Sequence, residues 1–248
     1  MSFLGETGEL NKMTVLNMKA ITLSLVLLLL HVSAAAQQLE VYTESLPPFQ
    51  IVAEEGISGS ATQQVEHILT ETALSYRIQV VPWARAYNIV KSSPNTLIYS
   101  INRTPEREPL FHWIKVVAEI GNSFISLTDN ALSLHHLDDA KKHVVGVVRD
   151  GYAHELLVAE GFVQDNNLYV VASLEQQLFL LLSGKIDLLF TDIQSVKLAL
   201  VQQKIDPELV SVRLTQQAWN RQLYLAANID SEPQIIKKLN MAAAQQQP

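Results

Sequence analysis

Apolar and polar side chains alternate along Leu39-Glu-Val-Tyr-Thr43, the period of a strand with one buried face, and Pro47-Pro48 ends it. Ser60 then offers a cap for a helix over about 61–75, with Val65, Ile68, Leu69 and Thr72 along its inner face. The segment 77–81 reads as a second strand, followed by a helix through Ala84, Tyr87 and Val90 and a short apolar strand at 97–101. Strand and helix alternate, which predicts an α/β fold with a parallel sheet flanked by helices.

The same alternation begins again further on. Val144 to Val148 is a run of the buried-strand kind, and Asp150-Gly151 opens a helix over 152–160. A strand at 168–171 precedes Ser173, which caps a helix through Leu174, Leu178, Leu181 and Leu182; Gly184 ends it. The strand 186–190, Asp192 and a helix over 193–203 complete the block. Between the blocks lies a long extended segment, 113–127, and a second returns over 210–225 before a last helix near 232–243. Two α/β blocks with two extended crossings predict a pair of lobes joined by hinge strands. In such folds ligands bind beyond the carboxyl ends of the strands, here in a cleft shared by both lobes.

At the N-terminus Lys19 precedes an apolar run from Ala20 to Leu30, and Ala34-Ala35-Ala36 follows. A basic residue, a short apolar core and an Ala-x-Ala site predict a secretory signal peptide cleaved after Ala36. The run falls short of the roughly 20 residues that a spanning helix needs. The expected organisation is therefore 1–36 signal peptide, 37–122 first part of lobe I, 123–214 lobe II, and 215–248 hinge return and remainder of lobe I.

Composition narrows the chemistry. The chain has 248 residues, 48% of them hydrophobic and 17% charged, which is an ordinary globular balance. Its net charge of -7 speaks against a nucleic-acid partner. With no cysteine there is no disulfide, zinc–thiolate site or thiol nucleophile. His135, His136, Asp138, Asp139 and His143 lack any recognised metal spacing, so no metal site is expected. Neither a Gly-x-Ser-x-Gly elbow, a His-Glu-x-x-His helix nor a phosphate loop occurs, and nothing calls for a cofactor.

Several stretches carry a resemblance: Tyr42-Thr-Glu-Ser-Leu-Pro-Pro-Phe49, Trp83-Ala-Arg85, Arg103-Thr-Pro-Glu-Arg107-Glu with Phe111-His-Trp113, and Gly184-Lys-Ile-Asp187 followed by Asp192. In this order they resemble the bacterial extracellular solute-binding protein family 3, the periplasmic polar amino-acid receptors of ABC transporters. The resemblance implies a two-lobed clamshell of the type II periplasmic-binding-protein kind. It also implies that Arg107 binds a ligand carboxylate, Asp192 its ammonium, and Trp83 covers it. Gly151 and Tyr152, with Arg149 just before them, would assist the carboxylate through helix N-terminal amides. Ser100 and Asn102 stand where the family has glycine and threonine, so they are candidate ligand contacts that depart from its pattern. Tyr42 and Glu44 belong to the expected cleft lining, Glu44 as an acid for a ligand ammonium. Each has a plainer reading as well: Asp192 also suits a helix cap, Trp83 core packing, and Arg107 a surface pair with Glu106 or Glu108.

The sequence thus predicts a monomeric periplasmic binding protein that captures an amino acid or related zwitterion and delivers it to an inner-membrane ABC permease. Two alternatives keep the fold: a sensory receptor for a membrane signalling protein, and a cyclohexadienyl-type dehydratase using Glu44 or His154 as acid–base group.

Overall fold

The computed structural model describes residues 38–130 and 132–246; the expected signal peptide lies outside the described residues. One eight-stranded sheet runs through the chain. Its strands are β1 (Leu39–Thr43), β4 (Tyr76–Val80), β5 (Thr96–Asn102), β6 (Phe111–Leu127), β7 (Val145–Val148), β8 (Leu168–Val171), β9 (Leu188–Asp192) and β10 (Val210–Asn228). Their order is β4-β1-β5-β10-β6-β9-β7-β8. The pairs β1/β4 and β1/β5 are parallel at one end, as are β7/β8 and β7/β9 at the other. The middle is antiparallel, because β10 returns between β5 and β6 and β6 runs against β9. The sheet is mixed rather than parallel, since a chain that crosses between lobes and comes back must reverse direction.

The long strands β6 and β10 belong to both halves. They pair from Phe111/Asn228 to Gly121/Asn220 and again from Ser123/Thr215 to Leu127/Val210, with the register broken between Thr215 and Asn220. On one side of this break, Leu39, Val65, Leu97, Leu223 and Leu239 pack in one core, and Trp83, Ile98 and Phe111 in a second. On the other, Ile125, Leu178, Leu189 and Leu200 form one cluster, and Phe124, Leu157, Phe190 and Trp219 another. Each half buries its own apolar side chains, so the protein is a two-lobed α/β clamshell on two hinge strands.

Helices flank the sheet as the periodicity predicts: α1 (Ser60–Glu71), α2 (Trp83–Ser92), a short α3 (Leu137–Ala140), α4 (Tyr152–Ala159), α5 (Leu174–Leu182), α6 (Ile193–Gln202) and α7 (Pro233–Gln245). Two local details differ. The stretch expected as a plain loop before α1 is a small hairpin of β2 (Ile51–Ala53) and β3 (Gly56–Ser58). The cap of α1 is Gly59, not Ser60, and no side chain serves it. Instead the Phe49 carbonyl accepts from the amides of Ala61 and Thr62. Gly59 has φ 112°, and a Cβ there would sit 2.5 Å from that carbonyl oxygen, so only glycine fits the close approach.

Candidate functional site

The carboxyl ends of β1, β4 and β5 in the first lobe face those of β7 and β9 in the second, and a cavity of about 80 Å³ lies between them. Glu44 and Leu46 come from the turn after β1, Trp83 from the start of α2, and Ser100 and Asn102 from the end of β5. Ile120, Asn122 and Leu223 belong to the hinge strands. From the other lobe come Val148, Gly151, Tyr152 and Ala153 at the start of α4, Leu174 and Gln177 on α5, and Phe190 and Thr191 on β9.

Two polar side chains lining it carry a buried atom without a hydrogen-bond partner, Asn102 Nδ2 and Gln177 Oε1, while Tyr152 lies against the Arg221 guanidinium. A buried polar group left unpaired costs about 1–3 kcal/mol, so a solute offering one acceptor and one donor would relieve that cost. Gln177 is fixed by its own amide, which donates to the Gly146 carbonyl at 2.9 Å and turns Oε1 away as the free acceptor. Ser100 is held by Gln50, whose amide donates to its hydroxyl. Asn122 donates to the Trp219 carbonyl across the irregular stretch of β10.

Among the cavity residues no lysine, arginine or histidine occurs, and Glu44 is the one carboxylate. Burial pushes the Glu44 carboxyl up to about 8, with the negative charge of Glu175 adding to the shift. The carboxyl is therefore held protonated near neutrality, and a cation brought against it would draw it into the charged form. The residues Gly151–Ala153 lie opposite, where the first free amides of α4 favour the negative end of a dipole. The cavity is thus acidic at one side and electropositive at the other.

Of the ten positions singled out in the sequence, Glu44, Trp83, Ser100, Asn102, Gly151 and Tyr152 line this cavity. Four lie elsewhere. Arg107 is wholly buried; its Nη2 donates to the Asp150 carbonyl at 2.9 Å and to Glu155 Oε1 at 2.6 Å, and Nη1 donates to the Asn102 carbonyl at 3.4 Å. Its guanidinium lies 5.8 Å from the Trp83 ring centre and 5.0 Å from that of Tyr87. Asp192 caps α6, accepting from the Ser195 amide at 2.8 Å and its hydroxyl at 3.1 Å. Tyr42 packs with the Trp83 cluster, its hydroxyl receiving Gln79 Nε2. Arg149 borders a separate groove with Tyr169, Gln176 and Phe179.

Sequence reasoning passed over Asn122, Gln177 and Thr191. The hinge position of Asn122 was the only signal in reach, since nothing local distinguishes Gln177 from its neighbour Gln176. His154 stands outside the cavity lining; its Nδ1 accepts from the Asp150 amide at 3.2 Å, and burial lowers its pKa. Among the described residues no cluster of three histidine or acidic groups could hold a metal ion. The nearest such group, around Asp139, is spent on capping: its carboxylate accepts the amides of His135 and His136.

Two α/β lobes, a cavity between their strand ends and two long hinge strands define a type II periplasmic-binding-protein fold. Solved structures share it. A histidine kinase sensor domain with similarity to periplasmic binding proteins aligns over 84% of this chain and 88% of its own, at 14% identity and a TM-score of 0.73. The arginine-, lysine-, histidine-binding protein ArtJ from Geobacillus stearothermophilus aligns over 84% and 87%, at 14% identity and a TM-score of 0.71. The amino acid ABC transporter substrate-binding protein AbpA from Streptococcus pneumoniae, bound to L-arginine, aligns over 86% and 90%, at 15% identity and a TM-score of 0.70. No family model and no curated protein matches the sequence. The likeness is one of fold.

Proposed function

We propose that this protein is an exported receptor that captures a small polar solute, an amino acid or related zwitterion, by closing its lobes, and delivers it to an ABC permease. One observation carries the reading: the interlobe cavity combines Glu44 on one lobe with the α4 N-terminus on the other, and its wall holds unpaired polar atoms. An ammonium would ion-pair with Glu44, and a carboxylate or carbonyl would accept from Asn102 and the α4 amides. The similar folds of ArtJ and AbpA, both amino-acid binders by description, support this class of solute.

In this reading residues 37–122 and 215–248 make lobe I, residues 123–214 make lobe II, and the mature protein is a periplasmic monomer freed of residues 1–36. Among the described residues no helix is long and apolar enough to cross a membrane. We read the cleft as a binder's and not a catalyst's, because Glu44 is the one strongly shifted group there and His154 lies outside it. The sensor-domain neighbour favours a second output, in which closure reports to a membrane signalling protein.

A thermal-shift screen of refolded, solute-stripped protein against amino acids, small amines and cyclohexadienyl acids tests the proposal. A solute at 100 times its dissociation constant should stabilise the protein by about 2.7 kcal/mol, and the gain should vanish in Glu44→Ala. A folded protein that responds to none of the panel would reject the amino-acid class, and turnover of a hit would make it an enzyme.

A further inference from the structure

Arg107 is anchored in the first lobe, in the turn between β5 and β6, yet its Nη2 is bound from the second, while Nη1 donates to the first-lobe Asn102 carbonyl and the buried Nε has no partner. Nη2 donates both to the Asp150 carbonyl and to the Glu155 carboxylate, which stands on α4. The indole of Trp83, also on the first lobe, donates to the same Asp150 carbonyl at 2.8 Å. Three hydrogen bonds therefore run across the mouth of the cleft to one short stretch, in which Asp150 is held at φ 56°. The two aromatic rings beside the guanidinium complete its enclosure.

We propose that Arg107 and Glu155 form a clasp that holds the lobes together with the cleft empty, Glu155 supplying from within the chain the carboxylate that a solute would otherwise bring. The guanidinium side chain is 1% exposed, enclosed by Trp83 and Tyr87 of the first lobe and by Asp150 and Glu155 of the second; a desolvated guanidinium needs an anion. Glu155 is the acidic side chain that reaches it, and at 38% exposure it stays at the rim where water can take it back. A pair with one wet end can break and re-form, as a door that opens on each cycle requires. The clasp also sets Arg107 behind Trp83 and off the cavity wall. Recognition then falls to Glu44, Asn102 and Gln177, and Arg107 controls closure.

Small-angle scattering on solute-stripped protein decides the matter. The wild type should be compact, and Glu155→Gln should show a larger radius of gyration, because the neutral amide no longer offsets the buried charge. Arg107→Gln should expand likewise, and the double exchange Arg107→Glu with Glu155→Arg should recover part of the compactness. If the arginine variant does not fold, the rim substitution Glu155→Gln answers alone. Equal scattering from wild type and Glu155→Gln, whether both compact or both extended, overturns the clasp. The measurement needs no solute, so a failed binding screen would remove the proposed function and leave the clasp standing. With any solute found, dissociation from Glu155→Gln should be about tenfold faster.

Discussion

The two ionisable side chains at the cleft, the half-buried Glu44 and the fully buried Arg107, sit in opposite situations. Glu44 lines the cavity with no cation among its wall residues, and the protein keeps it protonated. Arg107 has its counter-charge, contributed by the other lobe, and lies off the wall. A charge whose partner must arrive from solution is poised to select a ligand. One whose partner comes from within the chain is poised to set conformation. In the proposed reading the same physics, the cost of desolvating an ion, serves recognition in one place and closure in the other.

Removing the arginine should produce the largest effect. Arg107→Ala deletes a fully buried side chain packed on Trp83 and Tyr87 and leaves a cavity, at a cost of about 3 kcal/mol. Calorimetry should then show a melting temperature lower by about 6–12 °C. Glu44→Gln should act in the opposite direction. Below pH 4.5 the carboxyl is protonated folded and unfolded, so the variant matches wild type. As pH rises from 4.5 through about 8, unfolded chains shed a proton that the folded state retains, and wild-type stability falls. The variant escapes this loss, and urea unfolding at pH 8 should find it about 1–3 kcal/mol more stable. If wild type and variant share one pH profile, Glu44 is not the selective charge.

Binding should carry the same signature. An ammonium-bearing solute prefers ionised Glu44, so its affinity should climb from pH 6 towards pH 8 and release a proton, measurable as heat that scales with buffer ionisation enthalpy. Asp192→Ala tests a charge outside both roles. It should cost about 1 kcal/mol through loss of the α6 cap while leaving solute affinity unchanged. A hundredfold loss of affinity would return Asp192 to the site. Smallest of all, Arg103→Ala breaks an exposed pair with Glu108 and should move stability by less than about 1 kcal/mol.

Much of this architecture was legible in the sequence because it rests on local periodicity. The α4, α5 and α6 helices begin where Gly151, Ser173 and Asp192 predict, and the two long extended stretches stood out as crossings. The α1 start was misplaced because its amides are satisfied by the carbonyl of Phe49, about a dozen positions upstream, which no capping pattern encodes. Cavity residues at strand ends, such as Glu44 and Asn102, were found from their place at strand ends together with the family resemblance. The pairing of Arg107 with Glu155 was not legible, since the partner lies 48 positions away and only the folded arrangement joins them. Gln177 escaped for a similar reason: its acceptor is aimed by the Gly146 carbonyl, 31 positions back.

The seat of β10 has a consequence for how the chain acquires its shape. The last strand to be synthesised occupies the middle of the sheet, between β5 and β6. A nascent chain ending before Val210 has a gap at the centre of its sheet, with the facing edges of β5 and β6 unpaired. The centre of the sheet must wait for β10, and pairing over such long separations is slow. The topology thus works as a delay, keeping the chain pliable until β10 has emerged.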